Sequence, residues 1–272
     1  MLKIKLYYDL SHICRAVFFC NIEVLKKNRE MKTLEKMTIG EYVAEDFRTA
    51  AIFSKHGIDF CCKGDRTLED VCHKKDLELE VLENEIASIL ESKNDTGIDF
   101  KAWSTDLLID YIEKTHHRYV EEKTPVILQF LDKLCKVHGE RHPELFEINT
   151  LFKIGSGVLA QHMKKEELIL FPFVKTMFKA LEENAEIEQP QFGTVNNPIA
   201  MMMDEHENEG ERFRRISELS NHYAPPEDAC NTYKVTFSML QEFEQDLHKH
   251  IHLENNILFP KAKTMEERFS VL

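Results

Sequence analysis

The sequence predicts an all-α protein in which a small helical domain precedes an antiparallel four-helix bundle. Three observations carry this. The motif His-x-x-x-Glu-x-x-x-Leu-Phe-Pro occurs twice, from His162 through Glu166 to Pro172 and from His250 through Glu254 to Pro260. A further histidine stands upstream of each copy, His117 45 residues before His162 and His206 44 residues before His250, so the chain reads as two equal halves. Around these residues the apolar side chains recur at helical spacing, which places each motif on the inner stripe of a long helix.

Residues 1–31 lack the pattern of a domain and read as an N-terminal extension, with Met31 or Met37 as alternative starts and an extra helix or strand over Leu2–Leu25 as the structural alternative. The small helical domain is expected over residues 32–91. Thr38-x-x-Glu41 and Thr67-x-x-Asp70 have the capping-box spacing that opens a helix. The polar run Ser92–Gly97 begins a linker over residues 92–105, which would let the domains move relative to each other.

The bundle follows over residues 106–265. Its first helix is expected at Asp106–Glu122 behind a Ser104 or Thr105 cap, with Pro125 interrupting it or opening its continuation. The second is expected at Glu144–Met177, the third at Pro198–Asn221 and the fourth at Ala229–Lys263, with Pro225-Pro226 breaking the chain before the last. Pro172 and Pro260 should kink or loosen their helices.

Residues four apart on a helix share a face, so one helix can aim an imidazole and a carboxylate at one ion. Leu240, Phe243, Leu247, His250, Glu254 and Ile257 make one such stripe; Leu151, Gly155, Val158, His162, Glu166 and Ile169 make a second; Met203, His206, Gly210 and Phe213 make a third. A glutamate buried on that stripe is costly without a partner, and a metal supplies one. Four imidazoles and two carboxylates suit two first-row transition ions, iron foremost, and are too rich in nitrogen for magnesium or calcium. Known di-iron bundles use a glutamate on two helices and Glu-x-x-His on the other two; here the same logic uses a single histidine and His-x-x-x-Glu. On the first helix spacing leaves two choices open. Ile109, Ile112, His116 and Val120 make a 3-4-4 stripe, whereas Glu113 and Glu121 flank His117. His248 and His252 point well away from the face of His250 and are expected behind the ligands or in solvent; His138 and His142 read as loop residues.

Adjacent Cys61 and Cys62 lie in a turn between Gly57 and Gly64, where bonding to each other would be strained. An exposed thiol beside Lys63 would favour the thiolate needed for redox or transfer chemistry, while filling a core gap is the structural alternative. Cys14, Cys20, Cys72, Cys135 and Cys230 lack ligand spacing and read as structural. The formal charge of −13 with no basic run argues against nucleic acid and anionic membranes. No apolar run reaches the roughly 18 residues of a membrane span, and Ile13–Cys20, broken by Arg15, does not read as a signal peptide, so a cytoplasmic protein is expected.

From about Thr38 to Ala262 the chain resembles the repair-of-iron-centres family, hemerythrin-like di-iron proteins of iron-sulfur cluster repair and nitric oxide stress. The residues that carry the resemblance are Gly57-Ile58-Asp59-Phe60-Cys61-Cys62-Lys63-Gly64, His117-Arg118, His162-Met163-Lys164-Lys165-Glu166-Glu167, Glu205-His206-Glu207 and His250-Ile251-His252-Leu253-Glu254-Asn255-Asn256. The family's metal histidine stands eight residues before a proline, as His117 does before Pro125, so the resemblance selects His117 over His116. It implies two non-haem irons per chain held by His117, His162, Glu166, His206, His250 and Glu254, with open positions for nitric oxide, peroxide or dioxygen, and it supports a redox or transfer role for Cys61 and Cys62. The function it implies is repair of damaged iron-sulfur clusters by iron donation. Nitric oxide reduction at the same irons is the alternative, and gas sensing a third reading. Damaged iron-sulfur proteins or assembly scaffolds are the expected partners, and a homodimer is left open.

Overall fold

The computed structural model describes residues 37–91 and 98–270. The expectations for residues 1–31, including Cys14 and Cys20, and for most of the linker lie outside them. Four helices make the small domain: α1 Ile39–Glu45, α2 Ala50–Lys55, α3 Leu68–Lys75 and α4 Leu79–Glu91. At Thr38 both arms of the capping box form, the hydroxyl accepting from the Glu41 amide and the Glu41 carboxylate from the Thr38 amide. Thr67 caps α3 through the Asp70 amide, and a short bridge between Thr38 and Thr67 sets the two helix starts side by side.

The bundle comprises four rods whose neighbours in space run first to second, second to third, third to fourth and fourth to first. Three of them are interrupted by a π turn. The first is α5 Thr105–Tyr111, the π turn Ile112–His117 and α6 Arg118–His138; the second is α7 Glu144–Lys165, the π turn Glu166–Leu170 and α8 Phe171–Glu183. The third is the uninterrupted α9 Asn196–Leu219, and the fourth is α10 Asn231–Leu253, the π turn Glu254–Leu258 and α11 Phe259–Ser270. Among the described residues no helix is long and apolar enough to cross a membrane.

The π turns and the helix phases correct several expectations. A π turn adds one residue to a helical turn and advances the inner stripe by about 100°. In the second rod the buried stripe runs Ile148, Phe152, Gly155, Leu159, His162 and Glu166, then slips to Leu170, leaving Ile169 half exposed and Leu151 and Val158 at its margin. In the third rod Met202 rather than Met203 lies inward. Pro125 neither interrupts nor starts a helix but rides on the exposed side of α6, which continues to His138. His138 therefore ends a helix instead of standing in a loop, and packs against Tyr233 with its Nε2 3.2 Å from the Cys230 sulfur.

The small domain seats its Phe60–Gly64 turn on the bundle. Asn256 donates to the Phe60 carbonyl and to His252 Nδ1, and Arg214 donates to Asp59 at 2.9 Å. Close approach is possible because Gly40 and Gly64 offer no side chain: a Cβ on Gly40 would lie 2.3 Å from Asn256 Oδ1 and one on Gly64 2.9 Å from it. His252 is neither a solvent-facing group nor a partner of the central histidines. Its ring packs between Phe47 and Phe60, at centroid distances of 5.8 and 5.9 Å, and sits in the seam between the domains.

Burial depresses the His252 pKa to about 3, and its Nδ1 accepts a hydrogen bond that protonation would break. The folded-state pKa thus lies below the unfolded value near 6.5, so this contribution to stability is complete above about pH 6.5 and is lost as pH falls toward 3. The expected loss is at most about 1.4 kcal/mol per pH unit in that window. His252→Gln, which retains an acceptor but does not titrate there, should flatten the fall in melting temperature between pH 6.5 and 4.5; an unchanged slope contradicts this assignment.

Candidate metal centre

Six side chains from the four rods converge at mid-bundle: His117 from the first, His162 and Glu166 from the second, His206 from the third, His250 and Glu254 from the fourth. All are buried, and both glutamates have no exposed surface. The donor atoms form two overlapping groups, His117–Glu166–His250–Glu254 and His162–Glu166–His206–Glu254, each with its atoms within 4.8 Å of one another. His117 Nε2 faces His250 Nε2 at 3.2 Å in one half, and His206 Nε2 faces His162 Nε2 at 3.0 Å in the other.

Each carboxylate spans both halves. Glu166 turns Oε2 to His117 Nε2 and Oε1 to His162 Nε2, both at 3.4 Å. Glu254 turns Oε1 to His250 Nε2 at 2.9 Å and Oε2 to His206 Nε2 at 3.2 Å. Three of these four oxygens, both on Glu166 and Oε2 on Glu254, make no hydrogen bond although fully buried. Anionic oxygens in that condition, facing imidazole nitrogens, fit a site completed by cations.

The π turns bring about this convergence. Phe171 and Phe259, which follow the turns at Glu166 and Glu254, donate their amides five residues back to those glutamates. The next residue, Pro172 or Pro260, has no amide proton, so the ladder cannot revert to α pairing across it. Each phenylalanine lies under an imidazole, Phe171 under His117 at 5.9 Å and Phe259 under His206 at 6.1 Å, both nearly parallel. The Leu-Phe-Pro tail of the repeat is thus part of the site.

In the first rod the π turn Ile112–His117 buries both members of the His116-His117 pair. His117 Nε2 enters the centre, while His116 is held by Asp246 at 2.8 Å and stacks on the His250 ring at 5.6 Å. Regular periodicity pointed to His116 because it counts through a turn that carries an extra residue.

The outward ring nitrogens are held by residues that motif spacing missed. His117 Nδ1 meets Glu167 at 3.0 Å, His162 Nδ1 meets Glu205 at 2.8 Å and His206 Nδ1 meets Asn255 at 2.9 Å; His250 Nδ1 has no hydrogen-bond partner. Extending the repeat by one residue would have found them. Glu167 and Asn255 follow the two central glutamates, and His116 and Glu205 precede the two upstream histidines.

Cys61 and Cys62 lie beside this centre. Cys61 is buried, not on an exposed turn, and its thiol is pushed well up by the Cys62 thiol, by burial and by Asp59, so the expected thiolate is disfavoured there. The two sulfurs are 3.7 Å apart, and the Cys62 thiol donates to the His206 carbonyl at 3.3 Å.

Burial disfavours charge on these groups, yet the imidazoles hold the two carboxylates ionised and the carboxylates raise His117 and His162, while burial brings His250 below its ordinary value. Burial and the Glu254 charge raise Glu166, but His162 and His117 bring it below its ordinary value. Burial also raises Glu254, and His250 and His206 outweigh it to bring that carboxyl well below. Burial works against a proton on His162, but Glu166 and Glu254 raise its pKa to about 10. A cation entering between pH 6 and 9 must therefore displace a proton from His162, and apparent affinity should climb by up to tenfold per pH unit for that proton. Calorimetry in buffers of differing ionisation enthalpy checks this: uptake of a divalent metal should release at least one proton per chain at pH 7.5, and no release would contradict it.

Comparison with known proteins agrees with this architecture. Residues 108–262 match the hemerythrin HHE cation binding domain, and residues 35–90 match ScdA_N, a domain of unknown function. The chain is 30% identical over 228 residues to the iron-sulfur cluster repair protein ScdA of Staphylococcus epidermidis, covering 82% of this chain and 96% of that one. It is 32% identical over 224 residues to the iron-sulfur cluster repair protein YtfE of Enterobacter sp., with 82% and 95% covered, and 31% identical over the same length to YtfE of Escherichia coli. A small ScdA_N domain joined to a cation-binding bundle, matched over nearly the full length of these relatives, shows that the chain belongs to the hemerythrin-like family of ScdA and YtfE.

Proposed function

We propose that this protein is a cytoplasmic di-iron protein that repairs iron-sulfur clusters damaged by nitric oxide or oxidative stress, by donating iron to damaged proteins or their assembly scaffolds. The observation that carries the reading is the pair of buried carboxylates, each with one oxygen toward either half of a four-imidazole site. The names of the ScdA and YtfE relatives give the biological direction. His117 and His250 would hold one ion, His162 and His206 the other, and Glu166 and Glu254 would belong to both. Ferrous iron supplies a labile, redox-active cation that binds small diatomic molecules. It stands low in the affinity order of divalent metals, so an imidazole-rich site can hold it and still release it. Glu167 and Glu205 orient His117 and His162, each carboxylate accepting from Nδ1 and leaving Nε2 free as a donor. Cys61 and Cys62, beside His206, would serve transfer or redox steps.

Two iron ions per chain after expression with iron are the expected result of metal analysis, and a single zinc would refute the reading. Glu166→Ala removes a shared ligand, so both irons should become labile together; His206→Ala should loosen one first. Chelator titration of the two variants decides between them, and a Glu166→Ala protein that keeps one tightly held iron overturns the bridging role.

Replacing both Cys61 and Cys62 by Ser should leave iron content near wild type and lower recovery of a nitric-oxide-damaged iron-sulfur enzyme. Loss of iron from that variant would make the thiols ligands or folding elements instead.

A further inference from the structure

The two halves of the centre are related by the sequence repeat, and the relation extends to their surroundings. Glu166 is followed by Glu167, which holds His117; Glu254 is followed by Asn255, which holds His206. Phe171 lies under His117 as Phe259 lies under His206. At the residue after each glutamate the correspondence is broken chemically: a carboxylate serves the first histidine and a carboxamide the second. The break occurs where the small domain docks, for Asn255 Nδ2 donates to the Cys61 carbonyl at 3.1 Å.

That difference decides a tautomer. A carboxylate only accepts, so Glu167 fixes the proton of His117 on Nδ1 whichever way it turns. A carboxamide has a donor end and an acceptor end. The Cys61 carbonyl, itself only an acceptor, claims the donor end and leaves Oδ1 to face His206, which must then carry its proton on Nδ1 and present a free Nε2 to the centre. Were the amide to turn over, its NH2 would face Nδ1. The ring proton would then move to Nε2, 3.2 Å from Glu254 Oε2, where it would bond the carboxylate and deny the nitrogen to a cation. Cys62 fastens the same histidine from behind, its thiol donating to the His206 carbonyl across the close approach that Gly210 allows.

We propose that Asn255 is a positioning residue through which the docked small domain sets the tautomer of His206, so that displacing the Cys61–Cys62 turn releases the metal of the His162–His206 half before that of the other. The inference rests on the di-iron reading above and adds to it an order of release and the contact that controls it.

The test uses the full chain loaded with ferrous iron and compares Asn255→Leu, which removes both hydrogen bonds, with Asn255→Asp, which keeps an acceptor for His206 but no donor for Cys61. Asn255→Leu should release one iron to a chelator at least about tenfold faster than wild type, while the second stays within about twofold. Asn255→Asp should hold both irons within about twofold of wild type, since its carboxylate fixes the tautomer without the small domain. Gly40→Ala, which crowds Asn256 and disturbs docking, should speed release of one iron in the wild-type background and have no effect beside Asn255→Asp. Equal loss of both irons from Asn255→Leu, or an equal effect of Gly40→Ala in both backgrounds, overturns the proposal. Failure of the iron reading would appear separately, in metal analysis of the wild type. The proposal would then be judged on the metal-free chain by the 15N shifts of the His206 ring. Protonation at Nδ1 in wild type and Asn255→Asp, with Nε2 protonation appearing in Asn255→Leu, supports it; Nε2 protonation in wild type overturns it.

Discussion

Two glutamates with no exposed surface, Glu166 and Glu254, set the constraint on which the rest of the bundle depends. Neither can stay ionised at such depth unless positive charge or strong donors surround it. The four imidazoles answer that demand, and the demand fixes where they stand: one on each rod, at one level, with the ring nitrogens turned inward. The apolar layers on both sides then bury the polar centre. Leu247 and Phe243 lie on one side, Ile257 and Leu258 on the other, all buried.

Holding six polar groups at one level strains against the regular geometry of a helix. A straight α-helix gives an inner face to residues four apart, which accommodates His162 with Glu166 and His250 with Glu254. It does not also align the apolar residues that continue the face beyond them. The π turns resolve this by inserting a residue where the phase must change, in the first, second and fourth rods; the third rod keeps α pairing throughout.

This division also marks what could be read in the sequence. The doubled motif, the near-equal gaps to the upstream histidines and the capping box at Thr38 are local or periodic signals, and they identify the rods and five of the six central residues; His117 rests on the family resemblance, since spacing leaves His116 open as well. The π turns were not legible, because their hydrogen bonds differ from the α pattern by one residue and leave no composition of their own. The misplacement of Ile169 on the inner face follows from that, whereas Leu151, Val158 and Met203 lie outside any π turn and one step off the buried stripe. Pro125 departs from its expectation for another reason: on an exposed face a rod already nucleated on both sides tolerates the missing amide. Cys61 reads as exposed in the sequence because its glycine-flanked turn looks like a surface loop, whereas in the fold it is buried where that turn docks on the bundle.

The proline that follows each phenylalanine also has a consequence for the memory of the fold. An inserted residue in a helix can in principle migrate, since the extra turn slides along whenever one amide exchanges its acceptor for the next. Pro172 and Pro260 have no amide to exchange, so the defects at Glu166 and Glu254 cannot drift past them toward the C-terminal ends of their rods. They are pinned dislocations. A chain emptied of its ions therefore keeps the registry of its central glutamates as a property of the backbone, and refilling requires no search through alternative windings.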